Sequence, residues 1–259
     1  MSEDQPPSHP VFAAIYDPVM KHAEDSLLHE VRKSLVEDIE GTVLDLGAGT
    51  GAMFSYFKAA TGEESSLNLN AIEPDPHMRR RAIQKADELD LDIEIRSEGA
   101  QSLPYAHDSM DVVIASLVFC TIPDVEAALD EVARVLKPGG EFRFLEHVHA
   151  DGWLAHIQDA VNPIWRLSAA GCHLNRDTAA TFRNDDRFEV VELDELKIGV
   201  PPVKPFVRGT LVAHDDHWNP WGSVFDDMPS RFSPLLPSED KLPLRIKDLE
   251  GPQDLIMNN

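Results

Sequence analysis

Seven short apolar runs separated by helix-length stretches predict an α/β protein: a seven-stranded, mostly parallel sheet sandwiched by helices, with the last strand antiparallel. Three observations carry the prediction. The run 43–46 carries an acid, Asp45, two residues before a glycine-rich turn, and helix-compatible residues follow. Residues 111–116 are apolar almost throughout, as a central strand buried on both faces must be. Residues 188–196 and 207–213 read as a terminal antiparallel pair, with Pro201-Pro202 in the loop between them.

Residues 1–10 read as a disordered leader, polar and proline-containing. From Val11 the pattern is helical, with Phe12, Ile15, Tyr16 and Val19 near one face. A second helix is expected over 24–37, on the stripe Leu27, Leu28, Val31, Leu35. The first strand leads into Gly47-Ala48-Gly49-Thr50-Gly51, a G-x-G-x-G spacing and not the G-x-G-x-x-G of dinucleotide binders. Such glycines let backbone approach a ligand closely, or merely let a strand turn back. The second strand, 69–72, ends in Glu73 before Pro74-Asp75-Pro76. An acid at that tip accepts hydrogen bonds from a ribose diol, or simply sits in water before a turn. The longer connection to it is assigned to an extra loop at 62–66.

A helix over 76–89 and a third strand at 93–95 lead to the turn Ser97-Glu98-Gly99-Ala100-Gln101. The strand 111–116 ends where open α/β sheets bind ligands, so Ser116, Leu117 and Val118 should line the site. An amphipathic helix over 124–136 stops at Lys137-Pro138-Gly139-Gly140, and 141–148 is the fifth strand. Residues 151–184 are mostly helical and interrupt the alternation, with apolar mass from Trp153, Ile157, Val161, Ile164, Trp165 and Leu167. Asn175 reads as a helix N-cap. After His214 the periodicity ends, and 215–259 reads as a proline-rich acidic tail, extended or disordered.

Asp45 to Gly51, then Ile72-Glu73-Pro74-Asp75, then Leu136 to Gly140 resemble the signature series of class I S-adenosylmethionine-dependent methyltransferases. Residues 111–120, Phe144-Leu145-Glu146-His147-Val148, and Trp165 with Gly171-Cys172-His173-Leu174-Asn175-Arg176 are similar to a narrower methyltransferase-like family, of the type 11 domain, that includes alkyl-thiol S-methyltransferases. The resemblance implies a Rossmann-like domain over 11–214 and S-adenosyl-L-methionine as cofactor. It implies that Asp45, Gly47, Ala48, Gly49 and Gly51 surround the methionine part, that Glu73 with Pro74 holds the ribose, and that Ala100 and Gln101 lie by the adenine. The acid usual at position 100 is an alanine here, which shifts adenine recognition to Gln101 or to backbone. Phe12 and Tyr16 are candidates for a lid over the cofactor, or for plain core packing.

For the acceptor, the helical insertion with Trp165 and His173 is the expected pocket, and a thiol the favoured nucleophile. C-methylation of a quinone-like ring, N-methylation of a lipid amine and a non-catalytic cofactor-binding role are the alternatives. His147, at the end of the fifth strand, is the candidate base; its ordinary pKa near 6.5 suits the task, and the bland reading is a histidine that fixes local structure. His149, two residues on, and the 214–217 cluster suggest no metal site, because no third ligand is evident in sequence. Two cysteines, Cys120 and Cys172, make neither a disulfide framework nor a zinc pattern, and Cys172 reads as a small buried hydrophobe.

Composition narrows the partners to a small molecule. With 46 acidic against 23 basic residues, a net charge of −23 repels nucleic acid. The excess matches adaptation to a salty cytoplasm, or an ordinary acidic protein. No apolar signal core and no run of ~18 apolar residues is present, so a cytoplasmic protein without a membrane span is expected. The sequence does not give the oligomeric state.

Overall fold

The computed structural model describes residues 7–23, 27–61 and 67–214. The expected tail at 215–259, the extra loop at 62–66 and the leader up to residue 6 lie outside the described residues. The elements run α1 (Pro10–Ala23), α2 (His29–Leu35), β1 (Thr42–Leu46), α3 (Phe54–Ala60), β2 (Asn68–Ile72), α4 (Pro76–Leu89) and β3 (Ile93–Arg96). They continue with β4 (Met110–Ser116), α5 (Val125–Val135), β5 (Leu136–His147), α6 (Gly152–Ser168), α7 (Thr178–Arg183), β6 (Phe188–Leu196) and β7 (Phe206–Ala213).

The seven strands form one sheet in the order β3-β2-β1-β4-β5-β7-β6. β1 pairs in parallel with β2 and β4, while β7 runs antiparallel to both β5 and β6. The chain starts in the middle at β1, moves outward to β3, then returns to β4. The reversal leaves a crevice at the carboxyl ends of β1 and β4, where ligands bind in such sheets.

Strand alternation divides the core. Leu44, Leu46, Val113, Ala115, Phe142 and Phe144 point to one face, packed under α5 and α7. Val43, Leu69, Ala71, Val112, Ile114 and Leu145 point to the other, under α2, α3 and α4. Burial on both faces explains why 111–116 is nearly continuous apolar sequence. On the first face, Phe182 from α7 stacks edge-on against Phe119, Phe142 and Phe144, with ring centroids 4.6–5.3 Å apart.

α4 begins where its sequence says it must. Asp75 caps the backbone N–H groups of His77 and Met78, and Pro76 fills the first helical turn, where its missing N–H is no loss. α5 is capped in the same way by Asp124, whose carboxylate accepts from Ala127 N at 3.1 Å.

Three local expectations change. The segment Lys137-Pro138-Gly139-Gly140 is the irregular start of β5 rather than a loop: β4 pairs with it at Met110↔Leu136, and the register shifts before Val112↔Glu141. Gly139 turns the chain at φ +75, and Lys137 Nζ pins the bulge to the Asp111 carboxylate at 2.8 Å. α2 ends at Leu35, two residues before the expected end, and 24–26 lie outside the described residues. Asn175 is not a cap: its side-chain amide donates to Asp159 in α6, and Asp177 caps α7 through Ala180 N. The end of the leader is also placed, since His9 N donates to Asp75 Oδ2 at 2.6 Å and Pro10 opens α1.

Candidate functional site

The glycine turn closes the carboxyl end of β1. Gly47, Gly49 and Gly51 all have positive φ, +75, +59 and +83. At Gly47 a Cβ would lie 2.2 Å from Val118 Cγ2, so this glycine serves both backbone conformation and the close approach of the β4 turn. Ala48 is buried, and its N–H donates to the Ile72 carbonyl at 2.9 Å, locking the turn to β2.

Asp45 and Glu73 flank the turn from the tips of β1 and β2. Asp45 is buried; burial pushes its carboxyl up to about 7, and its Oδ2 has no hydrogen-bond partner. Glu73 accepts from Gly49 N through Oε2 and from Asp75 N through Oε1, each at 2.8 Å. Each carboxylate oxygen keeps a second lone pair for a ligand. Burial raises its pKa against the pull of the two N–H groups. Pro74 follows, half-buried, and Glu73 N bonds the Arg96 carbonyl, so the turn after β3 lies beside this acid. There Ala100 is buried in the core with its side chain against the packing, while Gln101 is exposed. A glycine cradle, an acid with spare lone pairs and an orphaned buried carboxylate oxygen fit a nucleoside ligand with a cationic amino-acid end.

α1 lies over this region. Thr50 Oγ1 donates to Asp17 Oδ1 at 2.5 Å, and His9 bonds Asp75. Tyr16 packs edge-on against Phe12, with centroids 5.4 Å apart. Tyr16, Asp17 and Met20 line a cavity of about 960 Å³ with His29 and Arg32 of α2 and Tyr56 of α3. Arg32 is buried, and its Nε donates to Ser116 Oγ at 3.1 Å at the end of β4. The sequence reading missed Arg32 and Asp17. The signal for Arg32 was available: it falls four residues after Leu28, on the apolar stripe.

The β4 turn is the second unusual backbone. Leu117 has φ +62, a conformation costly for a side chain with a Cβ. It is held from both sides: Leu117 N donates to the Leu145 carbonyl, and Val118 N and Phe119 N both donate to Glu146 Oε1, at 2.8 and 3.0 Å. Glu146 is wholly buried, and burial pushes it up to about 7 against those two hydrogen bonds. The sequence reading gave Glu146 no role.

His147, the last residue of β5, is buried at the same edge as expected. Its Nε2 lies 3.1 Å from Cys172 Sγ, which also accepts from Trp165 Nε1 at 3.4 Å. Cys120 completes the group: Cys120 Sγ, a ring nitrogen of His147 and Cys172 Sγ all lie within 4.8 Å of one another. The Cys120 contact and the imidazole pull the Cys172 thiol down, while the same contact and burial push Cys120 up. Burial alone would lower the imidazole, but the Cys172 contact outweighs it. Cys172 is thus a partner of His147 and not an inert filler.

His173 is half-buried beside it, lowered by burial, and its N–H donates to the Cys120 carbonyl at 2.9 Å. Trp165 faces the cluster, while Ile164 and Leu167 are 73% and 88% exposed. Among the described residues, no helix is long and apolar enough to cross a membrane.

Residues 44–144 match the model of a methyltransferase domain. A human thiol S-methyltransferase, TMT1A, is 30% identical over 172 residues, 64% of this chain and 68% of that protein. A phosphatidylethanolamine N-methyltransferase of Cereibacter sphaeroides is 31% identical over 170 residues, 61% of this chain and 75% of that protein. Among solved structures, a geranyl diphosphate methyltransferase in complex with GPP and sinefungin superposes with a TM-score of 0.58 at 13% identity, over 74% of this chain and 78% of that one.

Proposed function

This chain belongs to the class I S-adenosylmethionine-dependent methyltransferases, and on that premise we propose that it methylates the sulfur of a small apolar thiol. S-adenosylmethionine supplies a methyl group already activated by its sulfonium charge. The chain's task is to hold both reactants in line and to remove the acceptor's proton. In this reading Asp45 and the turn Gly47-Ala48-Gly49-Thr50-Gly51 take the methionine end. Glu73 beside Pro74 takes the ribose diol, and the Ala100 backbone with Gln101 meets the adenine. Ser116 and Leu117 form the floor, and Tyr16 on α1 closes the site from above. The pairing of Asp17 with Thr50 supports that lid.

The observation that carries the thiol reading is the sulfur-rich cluster at the ends of β4 and β5. His147 and Cys172 sit 3.1 Å apart at the edge where an acceptor must approach, bordered by Trp165 and His173. The similarity to a thiol S-methyltransferase supports the same acceptor. We assign the acceptor's deprotonation to this centre, with His147 as its essential member. A thiol of pKa about 8.5 is a few per cent ionised near neutral pH, so modest help suffices.

The test is S-adenosylhomocysteine formation with an alkyl thiol, a phenol, a quinol and a lipid amine, for wild type and His147→Ala. Turnover with the thiol is expected. The variant should lose about 10²–10⁴-fold in kcat/KM near neutral pH and recover in part as pH approaches the thiol's own pKa. Turnover only with the amine, phenol or quinol would sink the thiol assignment. A loss equal at every pH would make His147 structural.

A further inference from the structure

The cluster offers more than a hydrogen-bonded pair. Its three donor atoms come from three separate segments: the turn after β4, the end of β5 and the α6–α7 connection. Nothing in the spacing 120, 147, 172 signals a metal site; only the fold brings the atoms together. Both cysteines are free.

We propose that Cys120 Sγ, His147 Nε2 and Cys172 Sγ hold a zinc ion whose fourth position binds the acceptor thiol. The inference rests on the thiol reading for its substrate half and on geometry alone for its metal half. Tetrahedral zinc with bonds of ~2.3 Å to sulfur and ~2.0 Å to imidazole sets its donors ~3.5–3.8 Å apart. Here Nε2 and Cys172 Sγ are 3.1 Å apart and all three atoms lie within 4.8 Å, so an ion needs only small side-chain shifts. Two thiolates and an imidazole suit zinc and disfavour calcium or magnesium, which take oxygen.

The backbone around the ligands is fixed. His173 N donates to the Cys120 carbonyl at 2.9 Å, which ties two ligand segments together. The Arg176 guanidinium donates to the Phe119 and Ile122 carbonyls on either side of Cys120. Trp165 Nε1–H on Cys172 Sγ is an outer contact of the kind that orients metal-bound thiolates. Cys120 and His147 are buried, and Cys172, within the helical insertion, is the partly exposed member of the three.

Three protein ligands and one open position are the pattern of catalytic zinc, and a thiol that coordinates zinc loses its proton outright. The acceptor's S–H proton leaves to solvent as its sulfur bonds the ion, and zinc keeps its oxidation state. The sulfur pair then forms the new bond to the methyl carbon as the donor's sulfonium–methyl bond breaks, its electron pair staying on the sulfur of S-adenosylhomocysteine, and the neutral thioether leaves the metal. Removing His147 removes a ligand, which gives the same pH recovery described above, since the thiol then ionises on its own.

The experiment uses the full chain. Metal content is measured after purification with and without chelator, and cobalt(II) is added to the stripped protein. One equivalent of zinc per chain is expected, with both thiols protected from an aromatic disulfide reagent. The cobalt protein should show a thiolate-to-metal charge-transfer band that an alkyl thiol shifts and an alkyl amine does not. Cys120→Ser and Cys172→Ser should each lose the metal while still binding S-adenosylhomocysteine, which shows that they are folded. A folded, cofactor-binding wild type that retains neither metal, with both thiols reactive, would overturn the inference. So would undiminished thiol turnover in the metal-free protein, which leaves the thiol reading intact. A metal-loaded protein with no thiol turnover and an unmoved cobalt spectrum would instead sink the acceptor half and the thiol reading together.

Discussion

Replacing Glu73 with Ala removes a carboxylate that serves two purposes, and the two separate by experiment. In the ligand-free protein its oxygens satisfy Gly49 N and Asp75 N at 2.8 Å each, at a position only 8% exposed. An orphaned buried N–H costs ~1–3 kcal/mol, so the variant should melt lower even without ligand. In the complex the same oxygens are assigned to the ribose diol through their remaining lone pairs. A hydrogen bond to a charged group is worth ~1.5–3 kcal/mol, so S-adenosylhomocysteine should bind at least about tenfold more weakly. Glu73→Gln keeps one oxygen and nearly the same shape while losing the charge. It should hold the turn better than Ala yet still bind the ligand weakly. Calorimetry on all three proteins gives the affinities, and ligand-free melting gives the cost to the turn. Unchanged affinity in a folded Ala variant would show that Glu73 does not meet the ribose, whatever happens to the melting temperature.

Three further outcomes are expected. Burial raises Asp45 from 3.8 to about 7, so the folded chain keeps a proton that the unfolded chain releases. Its contribution is therefore full below about pH 4 and lost as pH rises through about 7; relative to Asp45→Asn, ligand-free wild type should lose up to ~4 kcal/mol across that window, and parallel urea-denaturation curves would contradict this. Gly47→Ala places an L side chain at φ +75 and a Cβ 2.2 Å from Val118 Cγ2, so it should destabilise by ~2 kcal/mol or more and weaken S-adenosylhomocysteine; an unchanged melting temperature would refute the steric argument. With a net charge of −23, melting temperature should rise with potassium chloride as the Debye length falls towards ~3 Å at 1 M, and a flat or falling curve would remove the salty-cytoplasm reading.

The parts of this protein that depend on local pattern were legible in the sequence. β4 announced itself as an apolar run because both of its faces are covered, and the glycine turn because its conformation demands glycine. α4 was legible to the residue, from Pro76 at its start to Leu89. What stayed hidden depends on which distant residues the fold brings together. Glu146 caps the Val118 and Phe119 N–H groups across a strand pair, and no periodicity in Phe144-Leu145-Glu146-His147 shows that. Cys120 and Cys172 are 52 positions apart and meet only because the insertion folds back over the end of β4. Within the insertion the apolar pattern did not separate exposed from inward residues: Ile164 and Leu167 are largely exposed, while Trp165 turns to the cluster.

The central claim is that sulfur, and not nitrogen, receives the methyl group. The most direct measurement offers both in one molecule: a long-chain alkyl aminothiol is incubated with the full-length protein and methyl-labelled S-adenosylmethionine. The product's new methyl resonance is then assigned by NMR. A methyl on sulfur, with the amine untouched, is the result expected from a site built on Cys120, His147 and Cys172. A methyl on nitrogen with the thiol intact would contradict it.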